Sequence, residues 1–301
     1  MLKIGLIFSY HFPQERRALL LSQIAAFSQN RSLEWSAEFA QAPFEKQYDV
    51  WIVADRFQSQ HLSCPAPRSI FSLNAGYHDF VAGFPGIQVK RAIHPFAPIR
   101  MARYVSYFIL DDIIQSAHWL AEQKSKSWNA SSLHVNERPT IGILGLGIFG
   151  SAIAKALVTL GFHVVGYQRK KAHPLVDVTV SLTSLLETSD ILINALPDTP
   201  ETQHILNKDT LSLLPKNSMF INVGRGSQVS EADLLALIEK KHIRRAVLDV
   251  FGIEPLPQEH PFWESDSICI TPHISGKFNF MDVLPDVLEL IHNEYQGTTK
   301  D

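Results

Sequence analysis

The sequence predicts an α/β protein built from doubly wound parallel sheets. Short apolar runs alternate with segments of helical apolar spacing along most of the chain. One run, Thr140–Leu144, passes directly through a glycine-rich turn into a helical segment. The length of 301 residues, at roughly 150 per domain, suggests two domains.

Leu2–Phe8 reads as a strand, Gln14–Phe27 as a helix rich in Leu, Ala and Ile, and Asp49–Ala54 and Ile70–Leu73 as further buried strands. The N-terminal apolar run is short and is followed at once by His11, Pro13, Glu15, Arg16 and Arg17, so it is read as a first strand rather than a signal peptide. Pro95 and Pro98 punctuate the chain, and one long helix is expected from about Arg100 to Gln123. Ser125–Pro139 is polar and reads as a surface loop. Beyond it the pattern sharpens: strand Thr140–Leu144, helix Phe149–Leu160 stopped by Gly161, strand Phe162–Tyr167, short helix Ser181–Thr188 and strand Ile191–Leu196. Thr199-Pro200-Glu201 is a helix start, with Pro at the first helical position. Strands Met219–Val223, Ala246–Val250 and Ile268–Thr271, helix Glu231–Lys240 and a last amphipathic helix from about Val283 to Tyr295 complete the reading.

Composition excludes several classes. The formal net charge is −3, which gives no electrostatic case for nucleic acid or an anionic membrane as the main partner. No apolar stretch approaches the roughly 18 residues of a membrane span. Two cysteines, Cys64 and Cys269, cannot form a disulfide framework, and the histidines show no metal-ligand spacing; a cytoplasmic protein without a metal is expected.

Gly145-Leu146-Gly147-Ile148-Phe149-Gly150 has the spacing G-x-G-x-x-G between a strand and a helix. Gly145 permits the tight turn, Gly147 lets the backbone approach a pyrophosphate, and Gly150 allows the helix to pack closely on the strand. The helix start, with Ile148 and Phe149, offers N–H groups and a positive dipole end to the anion. The following strand usually ends in Asp or Glu when the ligand is NAD, to bond the ribose 2′-hydroxyl. Here it ends in Gln168, followed by Arg169, Lys170 and Lys171. A carboxylate would repel a 2′-phosphate, whereas these cations attract it, so NADP(H) is the preferred cofactor and NAD(H) the secondary one.

Three further segments follow predicted strands: Asn222-Val223-Gly224-Arg225-Gly226, Asp249-Val250-Phe251-Gly252-Ile253-Glu254 and Thr271-Pro272-His273. In such sheets ligands bind at the carboxyl ends of the strands, which brings an arginine, a carboxylate and a histidine toward one nicotinamide.

On these motifs the chain resembles the D-isomer-specific 2-hydroxyacid dehydrogenases, most of all their glyoxylate/hydroxypyruvate reductase branch. The likeness is specific from about Thr140 to Gly276, weaker around Met101-Ala102-Arg103-Tyr104-Val105, and rests in the first part on Asn74-Ala75-Gly76-Tyr77-His78. The resemblance implies a Rossmann nucleotide domain (96–277) inserted into a flavodoxin-like substrate domain (1–95, completed by 278–301). It implies Arg225 in substrate binding, His273 as acid/base and Glu254 as its partner. Ala75, Gly76 and Tyr77 would take the substrate carboxylate from the other side of the cleft. Leu196, Pro197, Thr202, Val223 and Gly224 would flank the cofactor. Asp249 either positions the nicotinamide, tunes His273 or caps a loop.

The expected reaction is reduction of a small 2-keto acid to a D-2-hydroxy acid, with glyoxylate or hydroxypyruvate as substrate and a homodimer as the assembly. A bulkier keto acid, or a non-catalytic dinucleotide-sensing co-regulator, is the alternative. Gln168 replaces the usual acid and Arg103 stands where many relatives carry glutamate. His78 and Asp79 have no assigned role, and Lys277 and Phe278 bear on side-chain specificity.

Overall fold

A computed structural model describes the chain except for residues 8–12, 54–58, 74–77, 92–93, 130–137, 169–172, 180, 278 and 296–301. Two compact units are present: Met1–Pro95 with Phe278–Asp301, and Phe96–Lys277.

The first unit runs β1 (Leu2–Ile7), α1 (Gln14–Asn30), β2 (Trp35–Ala40), β3 (Val50–Val53), β4 (Ser69–Ser72), α2 (His78–Gly83) and β5 (Gln88–Arg91). Its five strands are parallel, in the order β2-β1-β3-β4-β5, the flavodoxin-like order. Alternation along the strands feeds two cores. Ile4, Leu6, Val50, Ile52 and Phe71 point to one face, while Ile7, Trp51, Val53 and Ile70 point to the other. With both faces covered, the central strands read as continuous apolar runs, which is why they are visible in the sequence.

The second unit opens with α3 (Phe96–Ile114) and α4 (Ser116–Lys124). The single long helix expected here is two, because Gln115 takes a left-handed conformation with φ 56°. Then follow β6 (Thr140–Leu144), α5 (Ile148–Thr159), β7 (His163–Tyr167), β8 (Asp177–Thr179), α6 (Leu182–Thr188), β9 (Ile191–Asn194), α7 (Lys208–Leu211), β10 (Ser218–Asn222), α8 (Glu231–Glu239), β11 (Ile243–Leu248) and β12 (Ile268–Ile270). The seven strands are parallel, in the order β12-β11-β10-β9-β6-β7-β8, a Rossmann sheet with one strand added. Helices α3 and α5 cover one face through Val105, Ile109, Ile153 and Leu157. Helices α6 and α8 cover the other through Leu185, Leu186, Leu234 and Ile238.

The last helix, α9 (Leu284–Tyr295), returns to the first unit and packs Leu284, Val287, Leu288 and Ile291 beside α1 and β1. Among the described residues, no helix is long and apolar enough to cross a membrane, and no group of three or more His, Cys, Asp or Glu side chains could hold a metal ion.

Candidate active site

Order reverses at β6, whose neighbours are β9 and β7, so a crevice opens beyond the carboxyl end of β6. Gly145 makes the turn out of β6 with φ 91° and donates its N–H to the Tyr167 carbonyl at 3.0 Å, which ties the turn to the end of β7. A Cβ on Gly150 would lie 1.8 Å from the Gly145 carbonyl oxygen, so only glycine lets α5 start so close to the turn. Gly147 is different. A Cβ there would meet no protein atom within 4 Å, and no side chain caps α5 above it. The open space beside an uncapped helix start fits a pyrophosphate. Ile148 is exposed at that helix start and Phe149 is half-buried. Gln168 follows β7 directly, next to this turn, whereas Arg169 and Lys170 lie outside the described residues.

The residues expected to form the acid/base pair come together from two strand ends. His273, after β12, places Nδ1 2.8 Å from Glu254 Oε2. The other carboxylate oxygen, Oε1, accepts the Phe251 N–H at 3.1 Å, so Glu254 is held by its own turn. The Glu254 side chain is 16% exposed and that of His273 40%, leaving the ring reachable while the carboxylate is shielded. Engaging Nδ1 orients the ring and puts Nε2 on its opposite side.

Arg225 follows β10. Its backbone N–H donates to Gln228 Oε1 at 2.9 Å and its Nη1 to the Gly224 carbonyl at 2.7 Å. Under it lies a polar network that sequence reasoning missed. Buried Asn194, at the end of β9, donates to Asn222 Oδ1 and Gln228 Oε1 at 3.0 and 2.7 Å. Gln228 Nε2 in turn donates to the Pro197 carbonyl at 2.7 Å. Leu196 N–H and Gly224 N–H close the network onto the two asparagines. The polar residue ending each of the runs Ile191–Asn194 and Ser218–Asn222 was the available signal. Thr202 Oγ1 donates to the Pro197 carbonyl at 2.8 Å, so this threonine shapes the loop after β9.

Of the roles left open for Asp249, the structure shows the loop cap. Its fully buried carboxylate accepts from Thr271 Oγ1 at 2.6 Å and from the N–H groups of Ile274 and Ser275, both at 2.8 Å. Val223 is buried beside Gly224. The second unit thus brings Arg225, Glu254, His273 and the glycine turn to one sheet edge, while Ala75, Gly76 and Tyr77 lie outside the described residues.

The family model for the D-isomer specific 2-hydroxyacid dehydrogenase NAD binding domain matches residues 107–275. The chain is 35% identical over 197 residues to glyoxylate/hydroxypyruvate reductase A of Yersinia enterocolitica, covering 64% of this chain and 62% of that protein, under two thirds of its length. To the protein of the same name from Serratia proteamaculans it is 30% identical over 268 residues, 81% of this chain and 85% of that one. A D-isomer specific 2-hydroxyacid dehydrogenase from Xanthobacter autotrophicus, solved with NADPH and MES, superposes with a TM-score of 0.82 at 29% identity over 97% of this chain and 95% of its own. An NADPH-dependent glyoxylate/hydroxypyruvate reductase from Sinorhizobium meliloti, solved with NADP and sulfate, gives 0.81 at 25% identity over 99% and 96%. Fold, strand-end constellation and sequence matches agree, and the chain belongs to the D-isomer-specific 2-hydroxyacid dehydrogenase family.

Proposed function

We propose that this protein is an NADPH-dependent reductase of small 2-keto acids, of the glyoxylate/hydroxypyruvate class, yielding D-2-hydroxy acids. The observation that carries the reading is the His273–Glu254 pair at 2.8 Å on the sheet edge that also bears Arg225 and the glycine turn. The names of the relatives and the cofactors in the solved structures support the substrate class and the coenzyme.

When bound, the reduced nicotinamide supplies a hydride to the keto carbon. The residues of this chain do the rest. Arg225 binds the substrate carboxylate and keto oxygen and fixes the carbon for attack. As the carbonyl electrons move onto oxygen, His273 delivers the Nε2 proton to it. The ring ends neutral, with Nδ1–H still donating to Glu254. Gln168, Arg169 and Lys170 favour the 2′-phosphate of NADPH, since none carries a negative charge. Ala75, Gly76 and Tyr77 are proposed for the substrate carboxylate.

A panel of keto acids with NADPH and NADH tests the proposal. Turnover of glyoxylate or hydroxypyruvate with NADPH well above NADH is expected. Preference for phenylpyruvate would shift the substrate class, and coenzyme binding without any turnover would overturn the enzyme reading. A homodimer pairing through the nucleotide unit is also proposed, on the exposed apolar Tyr107, Ile114 and Leu120 of α3 and α4. Sedimentation velocity giving a monomer at micromolar concentration would refute it.

A further inference from the structure

The loop that carries His273 is held by a hydrogen-bond chain beginning far away in sequence. Tyr104, on α3, has its hydroxyl 2.6 Å from Thr271 Oγ1, and Thr271 Oγ1 is 2.6 Å from Asp249 Oδ1. The proton directions follow from chemistry. A carboxylate oxygen only accepts, so the single Thr271 proton goes to Asp249 and Tyr104 must donate to Thr271. Burial pushes the Tyr104 phenol above its ordinary range, with the Asp249 charge adding to the effect, so the donor keeps its proton at any working pH. Asp249 then grips the N–H groups of Ile274 and Ser275. These bonds bracket His273, whose φ of 52° lies in the left-handed region that a non-glycine residue keeps only when its surroundings fix it.

We propose that Tyr104 is a positioning residue for His273, acting through Thr271 and Asp249. It touches no reacting atom; it sets the backbone from which the imidazole reaches the carbonyl oxygen. The inference rests on His273 being the proton donor of the proposed reaction. A chain of donors pointing to one anion is cooperative, so losing either hydroxyl weakens the whole grip. Because the chain ends at the histidine loop and not at the glycine turn, the loss falls on turnover rather than on coenzyme binding.

The test uses the full-length protein with Tyr104→Phe, Thr271→Val, Thr271→Ser and the double variant Tyr104→Phe/Thr271→Val. Tyr104→Phe and Thr271→Val are each expected to lower kcat about fivefold with KM for NADPH within twofold. Thr271→Ser, which keeps the hydroxyl, should recover most of the loss. The double variant should be no worse than about the poorer single variant, since both cut one chain. Amide hydrogen exchange over residues 271–277, read by mass spectrometry, should quicken in Tyr104→Phe and Thr271→Val. Multiplying losses, equal damage from Ser and Val, or unchanged exchange would each overturn the inference. Absence of turnover in the parent protein would sink the proposed reaction instead, and the exchange measurement would still decide whether the chain holds the loop.

Discussion

His273 depends on two kinds of support: a carboxylate that orients its ring and a buried carboxylate that holds its backbone. In the proposed role of general acid it would contribute roughly 10²–10⁴-fold, so His273→Ala should cut kcat at least about 100-fold while leaving the Kd for NADPH within a few-fold. Single-turnover kinetics and coenzyme fluorescence separate the two effects; near-normal turnover would remove the acid role. Replacing Arg169 and Lys170 by neutral residues should raise KM for NADPH about tenfold and leave NADH nearly unchanged, because in the proposed reading these charges serve the 2′-phosphate that NADH lacks. An equal change for both coenzymes would refute it. Arg225, Glu254 and His273 were legible because each stands in a distinctive short segment after a strand. Asn194, Gln228 and Tyr104 were not. A lone Asn at a strand end resembles any turn residue, and a Tyr on a helix resembles core until its hydroxyl partner is known.

The glycines of the turn after β6 make a pair of contrasting expectations. The Cβ of Gly147→Val meets no protein atom within 4 Å, and the Gly147 φ of −71° suits any L residue, so Tm should stay within a few degrees while NADPH binding is lost. Gly150→Ala forces a methyl group against the Gly145 carbonyl and should cost about 3 kcal/mol, visible in a denaturant titration. If Gly147→Val instead lowers Tm sharply, or leaves NADPH binding intact, the open-space reading fails. The same contrast between buried and half-covered segments explains which elements the sequence revealed. β1, β3, β4, β6, β9 and β10 are interior strands whose residues are mostly buried and mostly apolar. β2, β5 and β8, for which no strand was expected, are all sheet edges; β2, for instance, has only Ala40 buried. An edge strand has one covered side and no need of a continuous apolar run. The break at Gln115 was hidden for another reason: glutamine is a good helix former, and no glycine or asparagine marks its left-handed φ in the sequence.

At the scale of the molecule the two units differ in how they are written into the chain. Both cores of the nucleotide unit draw all their residues from one continuous stretch, between Met101 and Ile270. A fragment of residues 96–277 should therefore fold cooperatively and retain NADPH affinity, as circular dichroism melting and fluorescence titration would show. The other unit is split. Met281, Val283, Leu284, Val287, Leu288 and Ile291 complete its core from the far end of the chain. At about 1.5–3 kcal/mol for each buried side chain, deleting residues 279–301 removes an amount comparable to a domain's whole net stability. That truncation should unfold residues 1–95 and leave the nucleotide unit melting on its own; a single unchanged melting transition would contradict it. Within the nucleotide unit, Arg100, about one turn into α3, donates through Nη1 to the Lys277 carbonyl, so its first helix is buttoned to its last residues. A guest whose loose ends are already fastened together can be treated as a ring: joined from 277 to 96 and recut at the exposed Lys240–Lys241 turn, it would give a circular permutant with the same sheet order and a free choice of host.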